Sequence, residues 1–272
     1  MIAKNIVCGI GDSYGTSSID LMQKIVIQYR RKNMKQVAQN HGFTILLKFG
    51  TEKNLKSLQS GTMYMKNLAY YVNQEKKDSD DVIGDQYDGV MFMQNMKVDI
   101  MDPATHDVIM SLSIPKATMD FGYMQCPVFC MFRYDERNRL NETTDDGNEL
   151  FGFSQEQVKY MPEFGDSVLV IKDANEFLRR VTVAMQKDKL AFAKGDVQYF
   201  EGNELKCFQD IKREPSHVAF WKRKKYAYQQ EHRLLVGKQV EDHYILNIGD
   251  ISDISQIMKS ELMLNTVVTI GK

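Results

Sequence analysis

Short apolar runs, separated by polar or turn-forming segments, constrain the fold of this chain most strongly. At four to seven residues they have the length of β-strands and fall far short of the roughly 18 apolar residues of a membrane span. The clearest are FTILLKF (43–49), PVFCMF (127–132), VLVI (168–171), HRLLV (232–236) and HYILNI (243–248). Apolar residues at helical spacing predict helices over 51–61 and 174–186. Because strands and helices do not alternate strictly, we expect an α+β fold with a mixed, largely antiparallel sheet and flanking helices.

The same pattern divides the chain into three regions. We expect residues 1–42 to form an N-terminal strand/helix appendage and residues 43–250 to form an α+β domain of a catalytic type. Residues 251–272 are predicted to be a C-terminal extension packing on the main domain. The long helix of the appendage is amphipathic, so its apolar face suits its own domain, a partner, or a second copy in a homo-oligomer.

Composition and charge exclude several classes of protein. The 272 residues are 43% apolar and 26% charged, with a net charge of −1. These values are typical of a folded globular protein and give no bulk attraction to nucleic acid or anionic membranes. The first fifteen residues contain no apolar stretch of the length that a signal peptide requires. We therefore expect a cytoplasmic protein without membrane association.

No motif in the sequence has the spacing of a metal centre. The four cysteines, Cys8, Cys126, Cys130 and Cys207, are scattered and are predicted to be buried, reduced thiols. Asp85 and Asp88, in GDQYDG, could supply oxygen ligands to a divalent cation, but a glycine-bounded turn is the favoured interpretation. The glycine-rich segment 9–18 also departs from the spacing of phosphate-binding loops and predicts a turn with a helix cap. No metal cofactor is expected.

The segment YQQEHRLLV (228–236) places charged residues at the start of an apolar strand. Alternate residues of a strand share a face, so Gln229, Glu231 and Arg233 are expected side by side. A carboxylate in such a place must be paired, because burying an unpaired charge is costly. From the residues alone, a Glu231–Arg233 pair, or Glu231 holding the basic turn before it, is favoured over a catalytic role.

The segment FWKRKKYAY (220–228) combines consecutive basic residues with aromatic ones. Such a mixture can stack on bases and neutralise phosphates. The residues predicted to contact nucleic acid or phosphate are Trp221, Lys222, Arg223, Lys224 and Lys225. The alternative interpretation is a solvated turn leading into a strand.

Two segments carry a resemblance to a known superfamily. Gln229-Gln230-Glu231, followed by an apolar strand, resembles the C-terminal Gln-x-Glu signature of mono-ADP-ribosyltransferases. Residues 46–61, a strand running into a helix that ends in Leu-x-x-Gly, resemble the opening of that fold. Residues 44–250 also resemble an uncharacterised family of bacterial and phage proteins with a late Lys…Tyr…Glu-x-Arg-Leu segment. The residues matching that segment are Lys225, Tyr228, Glu231, Arg233 and Leu234.

The resemblance implies an ADP-ribosyltransferase-like fold and an enzyme that cleaves NAD and transfers ADP-ribose to a macromolecular acceptor. It also implies a role in conflict between phages and bacteria, as a toxin or defence protein. Glu231 and Gln229 would be catalytic, and NAD would be the substrate. The residues implied to bind it are Lys48, Thr62, Tyr64, Tyr71 and Arg233.

Two other functions remain open at this point. One is a non-catalytic protein of the same fold that binds nucleic acid, a nucleotide or another protein through the basic aromatic segment. The other is a metal-dependent nuclease that uses Asp85, Asp88 and Glu231.

Overall fold

The computed structural model describes residues 43–78, 82, 84–144, 147–202 and 204–270, and it confirms the α+β class. The strand and helix predicted within residues 1–42 lie outside this part of the chain. The strands are β1 (Ile45–Gly50), β2 (Thr62–Lys66), β3 (Val90–Met101), β4 (Val108–Asp120), β5 (Val128–Tyr134), β6 (Arg139–Thr143), β7 (Glu149–Phe151), β8 (Ser167–Ile171), β9 (Phe192–Asp196), β10 (Gln198–Phe200), β11 (Trp221–Arg223), β12 (Glu231–Val236), β13 (His243–Asn247), β14 (Ser255–Lys259) and β15 (Val268–Ile270). The helices are α1 (Glu52–Gln59), α2 (Leu68–Asp78), α3 (Gln155–Tyr160), α4 (Ala174–Lys187), α5 (Leu205–Arg213) and α6 (Ser260–Leu264).

A six-stranded antiparallel sheet forms the centre of the fold. Its strand order is β14-β8-β1-β5-β12-β9. The C-terminal region therefore supplies an edge strand, β14, to this sheet. Smaller sheets pair β13 with β2, β7 with β6 and β15, and β3 with β4, all antiparallel, while β10 and β11 run parallel. Most pairings are antiparallel, as expected from the short apolar runs and the lack of strict alternation between strands and helices.

Each face of the central sheet carries its own apolar core. One face packs against α1 and α4, and the other against aromatic residues and the short helices of the 151–164 and 224–229 regions. The strand register places three residues side by side on one face. Leu47 of β1 pairs with Phe132 of β5, and Phe132 pairs with Glu231 of β12. Since paired residues share a face, the side chain of Glu231 enters the second, aromatic core.

Helix α1 forms as the sequence predicts. The side chain of Thr51 accepts a hydrogen bond from the backbone N–H of Asn54 at the N-terminus, and Leu55 and Leu58 are buried. Gly61 follows the helix with φ +103°, and a Cβ there would lie 2.6 Å from the backbone of the facing loop. Both observations favour glycine at this position.

The highly polar segment 133–148 contains regular structure in its described part. Asp135 caps a 3-10 helix at Glu136–Asn138, and β6 then pairs with β7. Cross-strand pairing here overrides the low strand propensity of a highly charged sequence. Helices α3, α5 and α6 were not predicted from the sequence.

Strands β3 and β4 form a long hairpin with an amphipathic outer half. A turn at residues 102–106 joins them, and the side chain of Asp102 accepts hydrogen bonds from two backbone N–H groups of this turn. One face of the outer half carries Met96, Val98, Ile100, Met110, Leu112 and Ile114. The other carries Lys97, Asp99, Ser111 and Ser113. Most of these side chains are exposed, so the hairpin extends beyond the cores.

Among the helices of the described residues, none has the length and apolar character needed to cross a membrane.

Candidate functional site

The backbone turns sharply just before β12 and thereby fixes the first residue of that strand. Gln230 adopts a left-handed conformation with φ 43°, which is unusual for a residue other than glycine. Its side-chain amide donates hydrogen bonds to the carbonyl of Arg133 at 2.6 Å and to Asn138 Oδ1 at 2.7 Å. The backbone N–H of Glu231 donates to the hydroxyl of Tyr199 at 2.9 Å. These contacts hold Glu231 at the rim of the sheet.

Both oxygens of the Glu231 carboxylate accept hydrogen bonds from buried cations. Lys222 Nζ lies 2.9 Å from Oε1, and Arg233 Nε lies 2.7 Å from Oε2. Burial alone would raise the pKa of Glu231, but the nearby guanidinium and ammonium groups outweigh it and hold the pKa well below its usual range. Glu231 is therefore ionised at every physiological pH.

Arg233 connects Glu231 to a second carboxylate. Its NH1 and NH2 groups donate to Asp88 Oδ1 and Oδ2, each at 2.7 Å, and NH1 also donates to the carbonyl of Ala219 at 2.8 Å. The Arg233 side chain is only 2% exposed. Two cations and two carboxylates thus form a neutral, buried charge cluster, which we define as Lys222, Glu231, Arg233 and Asp88. Such pairing is what makes the burial of four charges tolerable.

Gln229 completes the cluster from the 3-10 helix that precedes β12. Its Oε1 accepts a hydrogen bond from Lys222 Nζ at 2.5 Å, and its Nε2 donates to the carbonyl of Val82 at 2.7 Å. The structure brings together Gln229, Glu231 and Arg233, and strand alternation accounts for Glu231 and Arg233. Gln229 reaches the site through Lys222, however, and lies outside β12 itself.

A second ion pair lies beside the charge cluster. Arg223 Nε donates to Asp85 Oδ1 at 2.8 Å. Burial raises the pKa of Asp85, although Arg223 opposes that shift. The Asp85 side chain also accepts a hydrogen bond from the backbone N–H of Tyr87 at 3.0 Å, which is the geometry of the favoured turn.

The pairing of these carboxylates does not resemble a metal centre. Asp85 and Asp88 each bind a guanidinium group, and Glu231 binds two cations. Within the described part of the chain, no three histidine, cysteine, aspartate or glutamate side chains are grouped as metal ligands. The arrangement therefore offers no support for the nuclease alternative.

The charge cluster forms one end of a small cavity. Its volume is about 90 Å³, room for about three water molecules. The apolar and aromatic wall consists of Leu47, Phe49, Tyr71, Met131, Phe132, Met161 and Phe164. A cavity of this size admits only a small group, so a larger ligand places one group beside Glu231, Lys222 or Gln229 and extends out of the cavity.

Of the five residues implied to bind NAD, three line this cavity: Arg233 of the charge cluster, Tyr71 and Lys48. Tyr71 projects from α2, and burial raises its pKa far above the usual range, so its hydroxyl stays protonated. Lys48 lies on β1 between Leu47 and Phe49 of the cavity wall, and strand alternation directs its side chain to the other face of the sheet from Glu231. Its ammonium donates to the carbonyl of Cys130 at 2.7 Å and lies 4.6 Å from the centroid of the Phe129 ring. Burial lowers the pKa of Lys48.

The other two residues lie in a different part of the fold. Thr62 and Tyr64 belong to β2, which pairs with β13 outside the central sheet. Tyr64 is 46% exposed and stacks on His243 with ring centroids 4.7 Å apart. Neither residue lines the cavity beside Glu231.

The basic aromatic segment does not act as one surface. Lys222 is 3% exposed and belongs to the charge cluster. Trp221 is buried, and its Nε1 donates to Asp210 at 3.0 Å. Lys224 is exposed and pairs with Glu201 at 2.7 Å, and Lys225 is also exposed. Two of the five residues thus point inward.

Three members of the site were not recognised from the sequence in their actual roles. Glu231 was expected to hold the basic turn before it, and it does so through Lys222, although Lys222 itself was assigned to a basic surface. Asp88 was assigned to a glycine-bounded turn or, less favoured, a metal site, and not to an ion pair with Arg233. Tyr199 was not considered, since nothing near it in the sequence indicates a contact with Glu231. Because these partners come from distant segments, only the tertiary structure joins them to β12.

No family model, curated protein or solved structure matches this chain.

Proposed function

We propose that this protein is an ADP-ribosyltransferase-like enzyme of the cytoplasm that cleaves NAD and transfers ADP-ribose to a macromolecular acceptor. One observation carries the proposal: the ionised carboxylate of Glu231 lies at the head of an aromatic-walled cavity. The Gln-x-Glu resemblance adds weight to it, as does the antiparallel α+β sheet that presents this residue at a strand terminus.

The reaction needs a fixed negative charge near the ribose. When the nicotinamide–ribose bond breaks, its electron pair leaves with the pyridine nitrogen and the ribose C1′ gains oxocarbenium character, as in glycoside cleavage. Nicotinamide departs neutral, the acceptor's nucleophile forms the new bond to C1′, and its proton is released. A carboxylate that is already oriented stabilises the developing positive charge.

In this proposal each residue of the site has a separate role in binding or catalysis. Glu231 accepts a hydrogen bond from a ribose hydroxyl, because each carboxylate oxygen keeps a lone pair beyond the bond to its cation. Lys222 and Arg233 are positioning residues that hold the carboxylate ionised and in place. Gln229 orients the acceptor group, and Tyr71 lies against the nicotinamide ring.

The test is release of labelled nicotinamide from NAD, with and without cell lysate as a source of acceptor. We expect the wild type to release nicotinamide and to label a macromolecule. Glu231→Gln should lower the rate about 100-fold or more, as expected when a group that stabilises developing charge is removed. Glu156→Gln, at an exposed position of α3, is the matched control and should retain full activity.

Because Glu231→Gln disturbs a buried cluster, its thermal unfolding must be measured beside its activity. NAD binding to the wild type, followed by ligand-observed NMR, separates failure to bind from failure to react. A folded wild type that neither binds NAD nor releases nicotinamide, even with lysate present, would overturn the proposal.

A second candidate is a non-catalytic binding protein of the same fold. The observation that favours it is the engagement of both Glu231 oxygens by cations, since a cluster of equal and opposite charges can serve structure alone. Under this alternative the cavity binds its ligand without turnover, and the wild type and Glu231→Gln leave NAD equally intact.

A further inference from the structure

A second, larger concavity lies beside β11 and is separate from the Glu231 cavity. Its volume is about 470 Å³. The residues lining it come from the base of the β3–β4 hairpin, the loop after β10, and the end of β11 with the residues that follow. They are Phe92, Gln94, Phe200, Glu201, Gly202, Arg223, Lys224 and Lys225. The buried side chains of Phe92 and Phe200 form an apolar floor.

The walls of this concavity are predominantly basic. Three of the lining residues carry positive charge and one carries negative charge. Lys116 of β4 adds another cation next to the floor, with its ammonium 5.6 Å from the centroid of the Phe92 ring. These four cations outnumber Glu201 and the Asp85 carboxylate that binds Arg223, so the concavity has a local excess of positive charge although the whole chain is nearly neutral. A concave surface of one sign concentrates ligands of the opposite sign.

The basic side chains differ in how firmly they are held. Arg223 is fixed by Asp85, with its guanidinium carbon 4.8 Å from the centroid of the Tyr87 ring. Lys224 and Lys225 are exposed, and Lys224 pairs with Glu201 across the mouth. An exposed ion pair of this kind contributes little to stability. An arriving anion can therefore replace Glu201 as the partner of Lys224 at small cost.

The two concavities lie on opposite sides of β11. Lys222 enters the Glu231 cavity and its neighbour Arg223 lines the larger one, as expected for consecutive residues of a strand. A ligand in the larger concavity is therefore distinct from one beside Glu231. The inference that follows does not depend on cleavage of NAD.

We propose that the concavity formed by Arg223, Lys224, Lys225 and the loop at Glu201 binds the phosphate group of a nucleotide unit. Lys224 and Lys225 contact the phosphate oxygens, Arg223 provides a fixed positive field, and the apolar floor lies beneath the sugar or base. The unit can belong to a free nucleotide or to a single-stranded nucleic acid, and the two sources share this chemistry.

The experiment measures binding of a fluorescent single-stranded oligonucleotide by anisotropy over a series of salt concentrations, with free nucleotide and inorganic phosphate as competitors. The test variant is Lys224→Ala/Lys225→Ala. The matched control is Lys53→Ala/Lys187→Ala, which removes two exposed helical lysines that do not line the concavity. Both variants alter only exposed side chains, so both should fold.

We expect the test variant to bind about tenfold more weakly at low salt. The slope of log affinity against log salt should become less steep by about 1.4, which corresponds to two lost phosphate contacts on a single strand. The control variant should match the wild type. If only the free nucleotide binds, and the test variant weakens that binding, the source is the nucleotide. Absence of binding by the wild type to strand and nucleotide alike, or equal binding by the test and control variants, would overturn the proposal.

Discussion

Replacing Asp88 with asparagine should destabilise the protein strongly, because it breaks a buried ion pair from one side. Asp88 binds Arg233 through two hydrogen bonds of 2.7 Å, and both side chains are 2% exposed. An asparagine can accept from only one of the two guanidinium N–H groups and turns its own NH₂ toward the other. The cluster would then hold two cations and one carboxylate.

Loss of one partner from a buried pair costs about 3–5 kcal/mol. For a folded region of this size, each kcal/mol lowers the melting temperature by about 2–4 °C, so the midpoint should fall by about 6–20 °C. Differential scanning calorimetry and urea denaturation measure this change. Asp107→Asn, at an exposed position of the hairpin turn, is the control and should stay within about 0.5 kcal/mol of the wild type.

The double variant Asp88→Leu/Arg233→Met tests whether the cost comes from the unpaired charge. An apolar pair of similar volume should recover much of the loss. If Asp88→Asn costs less than about 1 kcal/mol, Arg233 does not depend on Asp88 for its burial, and the account of the cluster fails.

Two further predictions concern protonation. Because the folded-state pKa of Glu231 is lowered, its ionised form stabilises the fold above the unfolded pKa of about 4.3, and that contribution is lost as pH falls through the folded value. The difference in unfolding free energy between wild type and Glu231→Gln should therefore be constant from pH 8 to 6 and shrink below about pH 4, and a constant difference down to pH 2 would contradict this. Burial raises the pKa of the described thiols to about 11 for Cys126 and about 12 for Cys130 and Cys207. At pH 8 less than about one in a thousand is thiolate, so a folded Cys8→Ser variant should react with Ellman's reagent only after denaturation, and a fast-reacting thiol would refute this.

The parts of the fold that depend on local sequence were predictable. The apolar run before Thr51 and the spacing of Leu55 and Leu58 indicate β1 and α1, and both elements form as expected. Alternation along β12 likewise places Glu231 and Arg233 on one face. In each case the signal lies within about ten residues of the element that it describes.

The partners in the site depend on tertiary structure and could not be predicted in the same way. Glu231 was expected to hold the basic turn before it, but the sequence did not indicate which of the four basic residues would be buried. Lys222 turns inward, where its ammonium donates to Glu231 and Gln229. Asp88 meets Arg233 across 145 positions of the chain. One sequence without its homologues contains no signal for such a pairing.

The outer half of the β3–β4 hairpin and the central sheet will behave differently in hydrogen exchange and in fluorescence measurements. Its backbone ladder joins β3 to β4, and most side chains of its outer half are exposed. Local opening of the outer half of the hairpin therefore breaks few contacts with the two apolar cores. Its amide hydrogens will exchange before those of the central sheet. The single tryptophan of the chain, Trp221, is 4% exposed and donates a hydrogen bond to Asp210, away from the outer half of the hairpin. Its fluorescence will therefore change when the fold around Trp221 unfolds, and it will not change when only the outer half of the hairpin opens.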